Sequence, residues 1–277
     1  MVTCKELAQQ IKDSVKNFVP RLETQPTLAI ITVGADPASA AYVRGKLKDC
    51  EEVGIRPVHI VLPEETTQGE LNSAVVQAHE YTGIIVQLPL PKHLNADQAI
   101  GLISPEKDVD GLVTDSAFTP CTANGVFHWL KRNTKLKGKH AVIINRSKLV
   151  GRPLAKLLLD AHCTVSVCHS NTATWTMQNL LDDADIVVCA VGKPNFLNLS
   201  DLKPGCIVAD VGINRVNGKL VGDTYNDHGF VNPRGSDRIV SPVPGGVGLL
   251  TRACLMYNVL KAAYISEGTD HADTIED

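Results

Sequence analysis

The chain has 277 residues, which at roughly 150 per domain corresponds to two domains. With 44% hydrophobic and 21% charged residues it is neither disordered nor collagen-like, and at 4% aromatics its core must be mostly aliphatic. Lys and Arg (27) against Asp and Glu (30) leave a net charge of −3, which excludes a chain-wide basic field for nucleic acid or an anionic membrane and leaves room only for local basic pockets.

Met1-Val2-Thr3-Cys4-Lys5-Glu6 lacks the basic start and continuous apolar run of a secretory signal, and no later run approaches the length of a membrane span. Short β-branched runs then recur at 28–33, 58–62, 83–87, 141–144, 165–167, 186–191 and 207–210. Continuous apolar strands of this kind predict parallel sheets covered on both faces by helices. Thr67-x-x-Glu70 reads as a capping box that opens a helix, and Asn95-x-x-Gln98 as a weaker version. The polar stretch 131–139 separates an early βα block from a later one, and an apolar-periodic stretch over 249–263 predicts a last helix, with Gly268 and an acidic tail fraying after it. The eight cysteines are scattered, several inside apolar runs and none in a CxxC pair, so reduced, mostly buried thiols in a cytosolic protein are expected.

In the later block, the strand 140–144 runs into Asn145-Arg146-Ser147-Lys148-Leu149-Val150-Gly151-Arg152-Pro153 and then a helical pattern. Pro153 suits the first helical position and Gly151 lets main chain approach a ligand. Strand, tight turn and helix N-terminus together can bind an anion, although GxGxxG is absent and an ordinary βα turn would look the same. The next strand ends Cys168-His169-Ser170-Asn171, where a carboxylate for a ribose diol is usual. Without it, and with Arg146 and the Ser170 hydroxyl nearby, NADP fits better than NAD. Arg146 as a solvated surface arginine and His169 as a packing residue are the structural alternatives.

In the early block, Tyr42 and Lys46 lie one helical turn apart on one face. A phenol and an amine so placed can act jointly, the amine moving a proton and the phenol positioning, although the spacing is common by chance. Gln87, ending the strand 83–87, can donate and accept and so could hold the lysine, or be a satisfied strand-end amide. Asp108 and Asp110, two apart, have too few oxygen ligands around them for a metal loop; one would serve the turn and the other a polar ligand ring. Ser241-Pro242-Val243-Pro244-Gly245-Gly246-Val247-Gly248 combines fixed direction with missing side chains, so that main chain can pass against a flat ligand.

Taken in order, these segments resemble the methylenetetrahydrofolate dehydrogenase/methenyltetrahydrofolate cyclohydrolase family over essentially the whole chain. The resemblance is carried by Val33-Gly34-Ala35-Asp36-Pro37-Ala38-Ser39 with Tyr42-Val43-x-x-Lys46, Val86-Gln87-Leu88-Pro89-Leu90-Pro91, Lys107-Asp108-Val109-Asp110-Gly111 and Pro120-Cys121-Thr122. It continues through Arg146-Ser147-x-x-Val150-Gly151-x-Pro153, Cys168-His169-Ser170, Asp210-Val211-Gly212-Ile213-Asn214 and Pro242-Val243-Pro244-Gly245-Gly246-Val247-Gly248.

The resemblance implies an α/β fold of two domains, each with a mainly parallel sheet flanked by helices. A folate-binding catalytic domain would span 1–120 plus 251–277, and a Rossmann-type NADP-binding domain 121–250. It implies Lys46 as the catalytic lysine, Tyr42 beside the folate ring and Gln87 as the orienting amide. Asp110 would grip the pterin edge, with Pro242, Gly245 and Gly246 walling folate from nicotinamide. Asn145, Arg146, Ser147, Gly151 and Ser170 fall on cofactor-contacting segments, Arg146 and Ser170 at the 2′-phosphate, as do Val191, Gly192, Gly212 and Ile213.

The implied reactions are oxidation of 5,10-methylenetetrahydrofolate with NADP⁺, NAD being the alternative, and hydrolysis of the methenyl product to 10-formyltetrahydrofolate. A cytoplasmic homodimer with no metal, nucleic-acid or membrane partner is expected. Four departures stand out. Residues 112–119 are shorter than the family's segment, Asn145 replaces a glycine, Asn171 a lysine and Ala123 a proline. Competing readings are a monofunctional dehydrogenase, a non-catalytic folate or nucleotide sensor, and a short-chain dehydrogenase. The last would put Tyr-x-x-x-Lys after the nucleotide turn, whereas here it comes before.

Overall fold

The computed structural model describes residues 1–226 and 238–268, so the acidic tail expected at 269–277 lies outside the described residues. The chain divides into two compact units, Ala8–Cys121 with Arg252–Asp277, and Met1–Leu7 with Thr122–Thr251. In chain order the earlier elements are α1 (Cys4–Phe18), β1 (Thr27–Val33), α2 (Pro37–Val53), β2 (Arg56–Leu62), α3 (Gln68–Gln77), β3 (Gly83–Val86), α4 (Ala96–Ile100) and α5 (Cys121–Asn133). The later ones are β4 (His140–Ile144), α6 (Gly151–Asp160), β5 (Thr164–Cys168), α7 (Thr174–Asp182), β6 (Ile186–Cys189), β7 (Leu197–Asn198) and β8 (Ile207–Asp210). They are followed by β9 (Asn214–Val216), β10 (Lys219–Val221), β11 (Thr224–Tyr225), β12 (Ile239–Val240) and α8 (Val247–Ser266).

The first unit is built on a three-stranded parallel sheet in the order β2-β1-β3. Ala29, Ile31, Ile84 and Val86 pack there against Leu71 and Val75 of α3 and Ala99 of α4. The second unit holds a five-stranded parallel sheet in the order β12-β8-β6-β4-β5. The chain goes from β4 outward to β5, then crosses back to place β6 on the other side of β4. The topological switch point therefore falls between the C-terminal ends of β4 and β6, where open parallel sheets bind their ligands.

β3, β6 and β8 are buried throughout, and β1 and β4 nearly so, as their unbroken apolar runs require. The edge strands β2 and β5 differ: exposed positions interrupt them and leave Val61 and Val167 at the surface, whereas β3, also at a sheet edge, is covered along its whole length. The capping box at α3 is complete, with the Glu70 carboxylate accepting from Thr67 N at 2.8 Å and Thr67 Oγ1 accepting from Glu70 N at 3.3 Å. At α4 only half of it forms: Asn95 Oδ1 accepts from Gln98 N at 3.0 Å, but Asn95 N donates to Gln68 Oε1 at 2.7 Å. Helix α6 begins at Gly151, so Pro153 is its third residue and not its first; the missing N–H still falls in the turn that needs none.

All eight cysteines are free and buried. Burial pushes the thiols of Cys4, Cys50 and Cys254 up to about 12 and that of Cys206 to about 11, so they stay protonated at neutral and mildly alkaline pH. Since the thiolate is the reactive form, a disulfide reagent at pH 8 should titrate the eight thiols only after denaturation. Rapid reaction of several equivalents with native protein would contradict this burial.

Candidate active site

In the three-stranded unit, α2 carries Tyr42 and Lys46 on one face, and the Lys46 ammonium lies 5.2 Å from the centre of the Tyr42 ring. Lys46 is 4% exposed. Its Nζ donates to Gln87 Oε1 at 3.1 Å. Gln87 is the first residue past β3, tied to the sheet by its N–H to Ile31 O at 2.8 Å. Its Nε2 donates to Leu88 O at 2.6 Å, which fixes the amide so that the oxygen faces the lysine. Tyr42, Lys46 and Gln87 are thus brought together. Among the described residues no carboxylate oxygen lies within ion-pair distance of Lys46. Burying an ammonium without a counter-charge costs several kcal/mol, a cost that function explains better than stability.

Asp49, one turn further along α2, anchors the helix through Arg252 Nε at 3.0 Å and Lys12 Nζ at 3.4 Å. Burial pushes its carboxyl up, and the two cations pull it back down. A side chain on Gly45 would run into the Arg252 guanidinium, so glycine there lets the arginine reach Asp49.

The two aspartates of the 107–111 segment divide as expected at the first of them. Asp108 is 1% exposed and accepts from Val113 N at 2.8 Å, serving the turn, and burial pushes its carboxyl up. Asp110 is half-buried. Gly111, at φ 74°, passes so close to the Pro120 main chain that no side chain fits. The short segment 112–119 is closed by Ser116 Oγ to Asp108 O at 3.3 Å and by Ala117 N to Pro105 O at 3.1 Å. Asn258 of α8, which sequence reasoning missed, donates to Val109 O at 2.8 Å and Thr119 O at 3.3 Å and so fixes both ends of the Asp110 loop.

In the five-stranded unit, the turn after β4 is filled by its own asparagine. Asn145 Oδ1 accepts from Ser147 N at 2.7 Å and Gly151 N at 3.0 Å, while Nδ2 donates to Ala190 O at 2.6 Å. Val150 N and Arg152 N bond to Ser147 Oγ and Ser147 O. The open anion cradle expected at this helix N-terminus is therefore capped internally, and Gly151 is a glycine because its Cβ would strike Asn145. Arg146 and Ser170 are exposed, and because Ile144 pairs with Cys168 they leave β4 and β5 at the same level.

Val191 and Gly192, in the loop after β6, are held by Asp223, a residue that sequence reasoning did not single out. Gly212 also owes its missing side chain to the Asp223 carboxylate, while Ile213 is exposed. In the 241–248 loop, Gly246 packs beneath Pro242 O, a requirement of the turn itself; Pro242 and Gly245, the latter at φ 92°, are exposed.

A parallel sheet with a nucleotide-type switch point in one unit, and a buried lysine without a carboxylate partner in the other, fits a nucleotide-dependent oxidoreductase. Comparison with known proteins narrows that class. Residues 2–110 match the model of the tetrahydrofolate dehydrogenase/cyclohydrolase catalytic domain, and residues 120–267 that of the tetrahydrofolate dehydrogenase/cyclohydrolase NAD(P)-binding domain. The chain belongs to the tetrahydrofolate dehydrogenase/cyclohydrolase family. It is 41% identical to the bifunctional protein FolD of Exiguobacterium sibiricum, over 94% of this chain and 97% of that one. Among solved structures it is similar to the bifunctional FolD enzyme of Campylobacter jejuni, at 39% identity and a TM-score of 0.86, over 95% and 98% of the two chains. It is likewise similar to the Trypanosoma brucei methylenetetrahydrofolate dehydrogenase-cyclohydrolase complexed with NADP cofactor and inhibitor, at 30% identity and a TM-score of 0.85, over 96% and 98%.

Removing the Asn145 amide strips caps from two N–H groups and a donor from Ala190 O. Asn145→Ala is expected to lower stability by about 1–2 kcal/mol, read as a lower urea midpoint with an unchanged slope. An unchanged midpoint would show that the amide does not hold the turn.

Proposed function

We propose that this chain catalyses two consecutive reactions at one carbon of a reduced folate: NADP⁺-dependent oxidation of 5,10-methylenetetrahydrofolate to the methenyl form, and hydrolysis of that product to 10-formyltetrahydrofolate. The observation that carries the reading is the buried Lys46 ammonium held by a neutral amide, in a chain matched by both family domains.

The donor set of the five-stranded unit fits NADP. Residues 169–171 contain no carboxylate to repel a 2′-phosphate, and Arg146 and Ser170 would hold it as neighbours on one sheet edge. Val191, Gly192, Gly212 and Ile213 would offer main chain and apolar contact to the rest of the dinucleotide. At Gly192 the space a Cβ would take is open, which suits close approach. Ser147 and Gly151 act through the turn that Asn145 shapes. Bound NADP⁺ supplies the acceptor for one hydride from the methylene carbon.

The remaining chemistry belongs to the three-stranded unit. In the methenyl product the positive charge is shared between N5 and N10, and repulsion beside it favours a neutral Lys46 amine. The lysine then takes a proton from the water that attacks the carbon. The C–N5 bond breaks, N5 gains a proton, and one proton is released overall. Gln87 keeps the amine aimed, Tyr42 lines the ring, and Asp110 accepts from the amino edge of the pterin. In the five-stranded unit, Pro242, Gly245 and Gly246 would present main chain to a flat ring. A homodimer in the cytoplasm accompanies this reading, supported by the exposed Val61 and Val167 on the two sheet edges and by eight free, buried thiols.

The test is an absorbance assay with methylenetetrahydrofolate and either NADP⁺ or NAD⁺, read before and after acid conversion of the 10-formyl product to the methenyl form. Turnover with NADP⁺ is expected, and no change with either cofactor would remove the enzyme reading. Lys46→Ala should lose hydration by about 10²-fold or more, the usual range for a general acid or base, and lose oxidation less. A variant that hydrates like the parent would remove Lys46 from its role.

A further inference from the structure

We propose that Asp223 is a positioning residue for the dinucleotide: its carboxylate fills a nest of main-chain N–H groups and so fixes the loop after β6 at the switch point of the five-stranded sheet. The proposal rests on the reading that this unit binds NADP.

Asp223 is 0% exposed. Its Oδ2 accepts from Val191 N at 2.6 Å and Gly192 N at 2.9 Å. Its Oδ1 accepts from Lys193 N and Asn214 Nδ2, both at 2.9 Å. Three successive N–H groups converging on one anion form the kind of concavity that proteins use to bind phosphate. Here the anion is the protein's own. With their N–H groups so occupied, residues 191–193 have main-chain carbonyls left to offer a ligand, which suits a hydrogen-bond donor on the dinucleotide and not its diphosphate. The Asp223 main chain grips the same segment again, its carbonyl accepting from Phe196 N at 2.7 Å and Leu197 N at 3.1 Å.

Asp223 is itself held by a second buried carboxylate. Asp210, at the end of β8, accepts from Asp223 N at 2.9 Å and Gly212 N at 3.1 Å through Oδ1. Through Oδ2 it accepts from Thr224 N at 2.9 Å and Thr224 Oγ1 at 2.7 Å. The main-chain N–H of Asp210 donates to Ser241 Oγ at 2.8 Å, directly before the Pro242 loop. Cβ atoms on Gly212 and Gly222 would collide with the Asp223 and Asp210 carboxylates respectively, so both glycines are explained by this pair. The relay ties the loop after β6, the end of β8 and the start of the 241–248 loop into one piece. Residues proposed to meet the cofactor lie on that piece, while Asp223 is buried behind them.

The discriminating property is that hydration of methenyltetrahydrofolate needs no NADP. Asp223→Asn puts a donor where a donor already points. It should raise the NADP⁺ dissociation constant, measured by titration calorimetry, and the NADP⁺ KM by about tenfold or more, as loss of a hydrogen bond to a charged group implies. Oxidation kcat should change less than KM, and hydration measured without cofactor should stay within about twofold. An unchanged dissociation constant, or cofactor binding and hydration lost in the same proportion, overturns the proposal. Should that variant not accumulate as folded protein, Asn214→Ala removes one donor and leaves the three main-chain bonds. With it, an NADP⁺ dissociation constant raised about two- to fourfold supports the proposal and an unchanged one overturns it. Failure of the parent protein to bind NADP⁺ would instead overturn the reading beneath the proposal.

Discussion

The hydrogen bond from the buried Lys46 ammonium to the Gln87 amide oxygen is the contact around which the three-stranded unit is arranged. A carboxylate at position 87 would pair with the lysine and hold the proton on it, because an ion pair in a poorly solvated place is strong. A neutral amide gives direction without that grip. The nearest carboxylate along the same helix face, Asp49, is engaged by Arg252 and Lys12, so it does not neutralise Lys46 either. The glycine at 45 follows from the same arrangement, since it is what allows Arg252 to approach. Two contacts, Lys46 with Gln87 and Asp49 with Arg252, thus account for the residue types at 45, 46, 49 and 87.

The five-stranded unit meets the opposite problem with the opposite charge. The loops at the C-terminal ends of β4 and β6 carry unpaired N–H groups at the place where a ligand must be received, and groups left unsatisfied there would be costly. The protein supplies its own acceptors, an amide at Asn145 and a carboxylate at Asp223, each bonding main chain from the inside. These internal acceptors satisfy the loops' N–H groups without any ligand. Arg146 and Ser170, proposed to meet the 2′-phosphate, are exposed, unlike the groups that fill these loops from the inside.

Much of this could be read from the chain because local physics decided it. Unbroken apolar runs marked the central strands, Thr67 and Glu70 marked a helix start, and the i,i+4 pairing of Tyr42 with Lys46 survived folding because a helix imposes it. Edge positions could not be read in the same way. Val58-His59-Ile60-Val61-Leu62 reads as a covered strand, yet in the structure β2 is an edge strand with exposed positions along it. Asp223 was hidden for another reason. In Gly222-Asp223-Thr224 it has the composition of an ordinary turn, and the three main-chain N–H groups it binds, at 191–193, lie 30 to 32 residues earlier. Asn258 left a fainter trace: a lone amide inside Leu255-Met256-Tyr257-Asn258-Val259-Leu260 must find acceptors once buried, yet nothing in the sequence points to Val109, 149 residues earlier. Gly212 and Gly246 also make room for the protein's own carboxylate and carbonyl, a need that no local pattern in the sequence reveals.

The two reactions draw on these devices unequally. In the proposed hydration step the proton acceptor must not be locked by a counter-ion, and the Lys46, Gln87 and Asp49 contacts all lie within one unit. Oxidation adds a requirement for alignment, which depends on loop rigidity more than on any ionisable group at the reacting carbon. Rigidity of that kind is what Asp223 and Asp210 provide, through eight hydrogen bonds accepted by two buried carboxylates. A family member could therefore lose one activity by altering a single amide or lysine in one unit and keep the other.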